Sequence, residues 1–293
     1  MAEPVTLAYA LRHARQMGLE RIDAHILLLH LLGRPHHDRA WLLAHDQDTL
    51  TAAQWAQYQA LCARRLDAVP VAYLTGCKEF FGLHLQVDAR VLDPRPDTET
   101  LVEWALELLP AAAPCRVADL GTGSGAIALA LQSQRPQAAV TAVDFSADAL
   151  AVARANAQRL QLPVQCVQSS WLAGVPGVFD LIVSNPPYIR EDDPHMPALR
   201  HEPRQALTSG RDGLDDIRTI AAQAPAHLAT GGWLLLEHGW EQAEAVQAIL
   251  RGAGFQDVVS RQDLAGQWRC TGGQWQDAAA CNPAIPTYSR TVK

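Results

Sequence analysis

Asn185, Pro186, Pro187 and Tyr188 bring an amide side chain, two proline rings and an aromatic face to one point of the chain. They follow the apolar run 179–183, which predicts a short strand that ends here. Proline lacks an N–H donor and pushes the preceding residue toward extended backbone. The local carbonyl oxygens are therefore held rigidly, without donors from their own segment. We expect a pocket of fixed acceptors that suits a planar group with an NH2, such as a carboxamide or an exocyclic base amine.

Glycines at alternate positions form a second candidate site upstream. The segment 117–120 predicts a strand that leads into this turn, and an apolar helical segment follows it. Glycine lets the backbone approach a ligand closely. The alternative is that the glycines only allow the backbone conformation of the turn and that no ligand binds there. The turn residues that we expect at a cofactor are Gly121, Thr122, Gly123, Ser124 and Gly125.

Two carboxylates flank this turn and indicate the kind of cofactor. Asp144 closes the next predicted strand, roughly 20 positions beyond the glycines, where an acidic side chain accepts hydrogen bonds from ribose hydroxyls. A helix cap for the segment from Ser146 is the alternative. Asp119 would repel the diphosphate of a dinucleotide, and the glycines depart from the G-x-G-x-x-G spacing of such sites. A cationic ligand such as S-adenosylmethionine, with its sulfonium and ammonium groups, fits better.

Taken together, Asp119–Gly125, Asp144 and Asn185–Tyr188 resemble class I methyltransferases that act on amino groups. Further segments resemble one family, the peptide chain release factor glutamine methyltransferases. These segments are Pro70–Gly76, Glu79–Leu83, Val91–Glu99, Glu202–Pro203, Leu236–Trp240 and Asp263–Gly266. The resemblance implies a Rossmann-like class I methyltransferase sheet and S-adenosyl-L-methionine as the cofactor. It also implies methyl transfer to the side-chain nitrogen (N5) of the glutamine in the Gly-Gly-Gln motif of class I peptide chain release factors.

The chemistry of an amide target explains the residue types in the downstream cluster. The nitrogen lone pair of a carboxamide is delocalised into its carbonyl, and no protein side chain is basic enough to deprotonate it. We expect the Asn185 side-chain oxygen and the Pro186 carbonyl each to accept one N–H of the target, which orients the nitrogen. Tyr188 would stack on the flat amide, and Pro187 completes the substrate pocket. Asn185 is also expected to contact the cofactor; a turn residue that satisfies its own backbone is the alternative.

Other residues take their expected roles from the resemblance alone. It implies that Trp171 contacts the adenine ring, with ordinary core packing as the alternative. The chain has Ser170 where the family usually carries an acidic residue before this Trp. Glu237 and His238 are expected to shape the floor of the pocket.

Composition fits a globular enzyme. With 293 residues and 48% hydrophobic content, the chain can bury a large core in two domains. No apolar stretch approaches the length of a membrane span and no signal sequence is evident, so we expect a cytoplasmic protein. The six cysteines contain no Cys-x-x-Cys pair and the histidines lack metal spacing, which favours reduced thiols and no metal site.

The charge distribution bears on the substrate. Residues 1–70 carry seven Arg and seven Asp or Glu, so the net charge of −7 lies wholly in the remainder. Enzymes of nucleic acids usually present basic surface, so no specific nucleic acid is expected and release factors are the expected partners. One alternative is a nucleic-acid exocyclic amine methyltransferase that shares the Asn-Pro-Pro-Tyr pocket. Another is a non-enzymatic adapter, in which the helical domain binds a partner and the sheet only retains a cofactor.

The elements that must position these residues follow from periodicity. Residues 1–75 are expected to form a helical substrate-binding domain, with a capping box at Thr51. Residues 76–95 are expected to form a β-hairpin and linker, and residues 96–293 the methyltransferase domain, which opens with a helix over 97–109. The predicted strands of that domain are 116–119, 139–144, 163–167, 179–184, 232–237 and 256–259. Their alternation with helical segments predicts an α/β fold with a parallel sheet and with both candidate sites at carboxyl ends of strands.

Two polar segments lack periodicity. Residues 190–212 predict a loop that covers the site, and residues 274–293 predict a loose tail. The tripeptide Gly272-Gly273-Gln274 equals the target motif that the resemblance implies. It is either a coincidence or an internal decoy for the pocket.

Overall fold

The computed structural model describes residues 4–276, and the chain divides into two compact units. The first unit runs to Arg95 and also contains Asp192–Leu207. The second comprises Pro96–Glu191 and the described residues from Thr208 onward. The sequence-based division instead kept 76–95 as a separate linker and left 192–207 in the methyltransferase domain. Within residues 4–276, no helix is long and apolar enough to cross a membrane.

The first unit is mainly helical, as its amphipathic patterns predict. Its elements are β1 (Val5–Thr6), α1 (Leu7–Gln16), α2 (Arg21–Leu31), α3 (Arg39–Ala44), β2 (Thr49–Leu50), α4 (Ala52–Leu66), α5 (Val71–Thr75), β3 (Cys77–Phe80) and β4 (Leu83–Gln86). The capping box at the start of α4 is confirmed, because Thr51 Oγ1 accepts from the Gln54 N–H and the Gln54 side chain accepts from the Thr51 N–H. Strands β3 and β4 pair as the expected antiparallel hairpin.

Side-chain contacts explain why the segment 192–207 belongs to this unit. Glu202, which is buried, accepts a hydrogen bond from Arg95 Nη2 at 2.5 Å. Arg200 donates to the backbone and side chain of Asp67. The segment also contains two short 3-10 turns, Met196–Leu199 and Arg204–Ala206. These long-range ion pairs leave no periodic signal, so the sequence predicted only a loop here.

The second unit is an α/β structure around one sheet. A 3-10 turn (Pro96–Thr98) precedes α6, so the predicted helix over 97–109 begins as a tighter turn. The elements are α6 (Glu99–Leu108), β5 (Cys115–Leu120), α7 (Ala126–Gln134), β6 (Ala138–Asp144), α8 (Ala147–Leu160), β7 (Gln165–Gln168), β8 (Phe179–Ser184), α9 (Asp215–Gln223), β9 (Leu228–Glu237), α10 (Ala243–Gly252), β10 (Gln256–Gln262) and β11 (Trp268–Gln274). A further 3-10 turn, Ala224–His227, links α9 to β9.

The order of the strands places the ligand-binding edge. Among the described residues the sheet has the order β10-β11-β9-β8-β5-β6-β7, and β9, β8, β5, β6 and β7 run parallel. The chain proceeds from β5 toward β7 on one side and then crosses to β8 on the other. Open sheets of this kind bind ligands at the carboxyl ends of the strands where the order reverses, here between β5 and β8.

The strand β11 was not predicted, and it corrects the expected tail. It runs antiparallel to β9 and β10, and Gln274 is its last residue. The Gln274 side chain donates to the Gly231 carbonyl at 2.8 Å. The internal-decoy hypothesis is therefore wrong, because Gly272-Gly273-Gln274 is paired inside the sheet. Residues 277–293 of the predicted tail lie outside the described residues.

The packing around Gly272 gives a first testable prediction. A Cβ at Gly272 would overlap the side chain of Leu235 and lie 2.8 Å from Cη2 of Trp104. We expect Gly272→Ala to lower the free energy of unfolding by about 2 kcal/mol, because overpacking a closed core strains its neighbours. The matched control is Gly252→Ala, since a Cβ at Gly252 meets nothing within 4 Å. Denaturant unfolding of both variants measures the difference, and equal stabilities would contradict the packing argument.

Candidate active site

Three neighbouring strands bring the predicted site residues to one edge of the sheet. The glycine turn follows β5, Asp144 ends β6, and Asn185 follows β8. Strand β5 pairs in parallel with both β6 and β8, so all three carboxyl ends lie side by side. An ideal Cβ at Gly121 would lie 3.3 Å from Cζ3 of Trp171 and 4.0 Å from the Asn185 carbonyl oxygen. The two sequence clusters therefore meet at Gly121.

The glycine turn adopts a conformation that other residues rarely tolerate. Gly121, Gly123 and Gly125 have φ values of 68°, 54° and 86°. Thr122 lies between them, and its N–H donates to the Val143 carbonyl at 2.9 Å. Asn156 Nδ2 holds the far side of the turn by donating to the Ser124 carbonyl at 3.0 Å. The turn is thus held in place before α7 begins.

Asp119 lies beneath the turn without any accessible surface. Its Oδ2 accepts from Thr122 Oγ1 at 2.6 Å and from the Ala128 N–H at 3.1 Å. Its Oδ1 is buried and has no hydrogen-bond partner among the described residues. Burial raises the pKa of this carboxyl group to about 7. A buried acceptor without a partner fits a site for a cationic group above the turn, and the direct contact with a cofactor stays a prediction.

Asp144 is fixed in orientation by the backbone. Its Oδ2 accepts from the Gly123 N–H at 2.9 Å and its Oδ1 from the Ser146 N–H at 2.8 Å. The alternative role for Asp144 was a helix cap. Ser146 caps α8 by accepting from the Ala149 N–H, and Asp144 contributes to this helix start only by accepting from the Ser146 N–H. Burial raises the pKa of Asp144. Each carboxylate oxygen keeps a further lone pair, which suits the two hydroxyls of a ribose.

Trp171 forms a wall beside the turn. The residue is half-buried, and its φ of 52° is unusual for a bulky side chain. Its Nε1 donates to Asp216 Oδ1 at 3.2 Å, and part of the ring packs on the core of the unit. Ser170 beside it is exposed. The ring is thus both a core contact and a surface next to Gly121.

Asn185 is oriented by a residue far from it in sequence. Its Nδ2 donates to Thr98 Oγ1 at 3.1 Å. No donor among the described residues bonds to its Oδ1 or to the carbonyl of Pro186. The carbonyl of Tyr188, by contrast, accepts from Gln242 Nε2 at 3.1 Å. These two acceptors at the end of β8 are therefore open, in the sense that no described donor bonds to them.

Glu237 lies behind these acceptors. It ends β9, is 1% exposed, and accepts from Tyr188 Oη at 3.3 Å through Oε1. Its Oε2 is buried and has no hydrogen-bond partner among the described residues. Burial raises the pKa of Glu237 to about 7, against the opposing effects of Thr98 and the nearby Arg269 guanidinium. Arg269 is in turn paired with Asp97 at 3.2 Å.

His238 is a buried, neutral part of the framework. Its Nδ1 lies 2.9 Å from the Gly239 carbonyl and therefore carries the proton, so Nε2 accepts from Thr271 Oγ1 at 2.7 Å. Ser260 continues the chain at 2.7 Å from Thr271. Burial lowers the pKa of His238 to about 4. Within residues 4–276, no group of side chains could hold a metal ion.

The raised pKa of Glu237 predicts a pH-dependent stability. The folded pKa of about 7 exceeds the ordinary 4.5, so the folded state binds more protons and loses stability as pH rises between these values. Glu237→Gln removes this loss. The free energy of unfolding of the variant, relative to wild type, should rise by about 2 kcal/mol between pH 5 and pH 8. Denaturant titrations at both pH values measure this change. A difference in unfolding free energy between the two proteins that is the same at both pH values would refute the prediction.

Sequence reasoning missed two residues of this cluster. Thr98 received no role, since nothing local distinguishes a threonine at the start of a helix from an ordinary cap. In the structure its side chain makes no cap hydrogen bond and reaches Asn185 instead. Asp216, the partner of Trp171, was also missed. For Glu237 a signal existed, because a carboxylate ends the apolar run 233–236.

Comparisons with known proteins identify the domains and the fold. Residues 7–76 match the family model described as PrmC N-terminal domain, and residues 98–213 match Methyltransferase small domain. A methyltransferase structure from Pyrococcus furiosus aligns with a TM-score of 0.53 at 21% identity, over 73% of this chain and 98% of that one. This likeness confirms the predicted Rossmann-like class I methyltransferase fold.

Close relatives decide the family. The release factor glutamine methyltransferase of Bordetella pertussis is 52% identical over 260 residues, which cover 87% of this chain and 95% of the relative. The enzyme of the same name from Xylella fastidiosa is 51% identical over 269 residues, 90% of this chain and 97% of the relative. The similarity spans both units and almost the whole length of each relative. The chain therefore belongs to the release factor glutamine methyltransferase family.

Proposed function

We propose that this protein transfers a methyl group from S-adenosyl-L-methionine to the side-chain amide nitrogen of the glutamine in the Gly-Gly-Gln motif of class I release factors. The observation that carries the proposal is the pair of open acceptors at the end of β8, Asn185 Oδ1 and the Pro186 carbonyl. A primary carboxamide has two N–H donors on one nitrogen, and this pair matches them. The cytoplasm is the expected location because release factors act on ribosomes.

The cofactor residues fit S-adenosylmethionine. That cofactor supplies an electrophilic methyl group when it is bound. Asp144 would accept from the ribose hydroxyls, and the backbone of Gly121 and Gly123 permits close approach. Trp171 would pack against the adenine, and Asp119 would favour the cationic amino-acid portion from below. Thr122, Ser124 and Gly125 complete the turn that holds the cofactor.

The remaining residues act on the amide. By accepting both N–H groups, Asn185 and Pro186 would fix the plane of the target carboxamide and favour a pyramidal nitrogen. Tyr188 would lie against its face, with the hydroxyl held by Glu237. Pro187 limits the backbone freedom of the pocket, since its φ is fixed. The nitrogen gains a methyl group and loses one proton, which passes to solvent.

The decisive experiment uses labelled cofactor and a purified class I release factor. We expect label in the wild-type factor and none in a factor whose Gly-Gly-Gln glutamine is replaced by alanine. Label that persists in the alanine variant would refute the proposed target. Transfer to DNA or RNA with strongly salt-dependent binding would favour the nucleic-acid alternative. Cofactor binding without any transfer would favour an adapter.

The nucleic-acid alternative has less support than the release-factor function. Relatives named release factor glutamine methyltransferases match the helical first unit as well as the sheet. The charge excess of the chain is acidic, whereas phosphate recognition needs basic surface. The shared fold does not argue either way, because one fold serves many substrates.

A further inference from the structure

The segment that carries the acceptor pair cannot be anchored through its proline nitrogens. Pro186 and Pro187 have no N–H, so neither nitrogen can donate to a neighbouring strand or turn. The upstream end of the segment is fixed, because Ser184 Oγ donates to the Leu120 carbonyl at 2.7 Å. The positions of the Pro186 carbonyl and of the Tyr188 ring therefore depend on what holds the downstream end.

The downstream end is held by Gln242, which lies 54 positions beyond Tyr188 in the chain. Its Nε2 donates to the Tyr188 carbonyl at 3.1 Å and to the Asp212 carbonyl at 3.3 Å. Its Oε1 accepts from the Gly239 N–H at 2.8 Å. A backbone N–H can only donate, so this third bond fixes which end of the Gln242 amide is the oxygen. Both protons of the NH2 group are thus directed at carbonyl oxygens.

Gln242 is itself fixed by a helix that packs on the sheet. It is the N-cap residue of α10, and its carbonyl accepts from the Val246 N–H at 2.9 Å. Its own N–H donates to the Gly239 carbonyl at 2.9 Å. Val246 and Leu250 anchor α10, because both side chains are fully buried. A side chain on such a support is well suited to hold a neighbouring loop in one position.

Two glycines leave room for the Gln242 amide. An ideal Cβ at Gly213, whose φ is 77°, would overlap the Tyr188 carbonyl oxygen and lie 2.9 Å from Gln242 Nε2. An ideal Cβ at Gly239 would lie 3.1 Å from Gln242 Oε1. A side chain at position 213 would therefore push the Tyr188 carbonyl out of place. The chain is closely packed around the hydrogen bond from Gln242 to Tyr188.

We propose that Gln242 is a positioning residue for methyl transfer. By holding the Tyr188 carbonyl, it keeps the Pro186 carbonyl and the Tyr188 ring where they meet the amide of the substrate. The inference rests on the proposed function and deepens it. Glu237 holds Tyr188 at a second point, because it accepts from the Tyr188 hydroxyl at 3.3 Å. Gln242 acts on the substrate only through this segment, since both of its NH2 protons are engaged by carbonyl groups.

The chain offers matched variants for a test. Gln242→Met keeps the length of the side chain and removes the amide. Gln242→Glu keeps an acceptor for the Gly239 N–H but, when ionised, has no proton for the Tyr188 carbonyl. Gln247→Met is the control, because it makes the same chemical change in the same helix. The Gln247 amide donates to Ser260 Oγ at 2.8 Å, outside the site.

Steady-state methylation of the release factor tests the inference. We expect Gln242→Met and Gln242→Glu each to lower kcat about tenfold, because the segment can then shift away from the reacting geometry. KM for the release factor and the affinity for S-adenosylmethionine should change by less than about threefold, since only the geometry of transfer is lost. Gln247→Met should match wild type. A wild-type kcat in either Gln242 variant, or an equal loss in Gln247→Met, overturns the inference.

Calorimetry separates a lower kcat from a smaller folded fraction. The glycine turn and Asp144 are unchanged in the Gln242 variants, so the stoichiometry of S-adenosylmethionine binding per chain should equal that of wild type. A stoichiometry that falls in proportion to kcat would mean that Gln242 only stabilises the fold, and it overturns the positioning role.

A second variant disturbs the same hydrogen bond without changing Gln242. Gly213→Ala places a methyl group against the Tyr188 carbonyl, so kcat should again fall about tenfold. Its control is Gly231→Ala, which should keep the wild-type kcat, because Gly231 has a φ of 84° but its Cβ would lie 3.9 Å from the nearest atom. A wild-type kcat in Gly213→Ala overturns the inference, and a large loss in Asn185→Ala then leaves the proposed function standing. An unchanged Asn185→Ala overturns both.

Discussion

Replacing Asn185 by alanine is expected to lower the turnover of release factor methylation by about 1,000-fold, the scale seen when one preorganised hydrogen-bonding group is removed from an active site. The reason is geometric. Asn185 Oδ1 is one of two open acceptors, and without it the target carboxamide is held by the Pro186 carbonyl alone. The nitrogen can then rotate out of line, and most bound substrate is unproductive.

Cofactor binding supplies the internal control for this variant. The Asp144 carboxylate and the glycine turn stay intact in Asn185→Ala, so calorimetry should give an affinity for S-adenosylmethionine within a few fold of wild type. Asn185→Asp keeps oxygen acceptors but cannot donate to Thr98, and its turnover should fall between those of wild type and the alanine variant. A turnover within about tenfold of wild type in Asn185→Ala would contradict the assignment.

The fold was predictable wherever a pattern is local. Six strands with their intervening helices follow from apolar runs and the two periodicities, and the capping box of α4 follows from Thr51 and Gln54. Strand β11 escaped because the segment 268–274 contains two adjacent glycines and a mixture of polar and apolar residues. Its place in the sheet is decided by tertiary packing, since Gly272 lies against Trp104 and Leu235.

The candidate site shows the same limit. The residues expected to contact the substrate were predictable, because the chemistry demands particular residue types beside one another, as in Asn185–Tyr188. The residues that hydrogen-bond to them from distant parts of the chain were not predictable. Thr98 is 87 positions from Asn185 and Tyr188 is 49 from Glu237, and no spacing rule links such pairs. Only the parallel pairing of β8 with β9 and the packing around it bring them together. The residues that carry the chemistry are neighbours in sequence, whereas the residues that orient them are brought together only by the topology.

Asp144→Ala should weaken cofactor binding and leave turnover nearly unchanged, whereas Asn185→Ala should lower turnover and leave cofactor binding nearly unchanged. Two hydrogen bonds from ribose hydroxyls to a charged group, at about 1.5 kcal/mol each, predict roughly a 100-fold weaker affinity for S-adenosylmethionine. Turnover at saturating cofactor should change little, because the acceptor pair at Asn185 and Pro186 is untouched. The carboxylate is well prepared for this role, since the Gly123 and Ser146 N–H groups already fix its plane.

The same two N–H groups make a control necessary, because Asp144→Ala also removes their partner and loosens the turn. Asp144→Asn keeps an acceptor for one of them and should lose less affinity than the alanine variant. Asp148→Ala removes an exposed carboxylate from the first turn of α8 and should bind the cofactor as wild type does. Calorimetric titration ranks the three. If Asp144→Ala and Asp148→Ala bind S-adenosylmethionine equally well, Asp144 does not hold the ribose, and the glycine turn must bind the cofactor by its backbone alone.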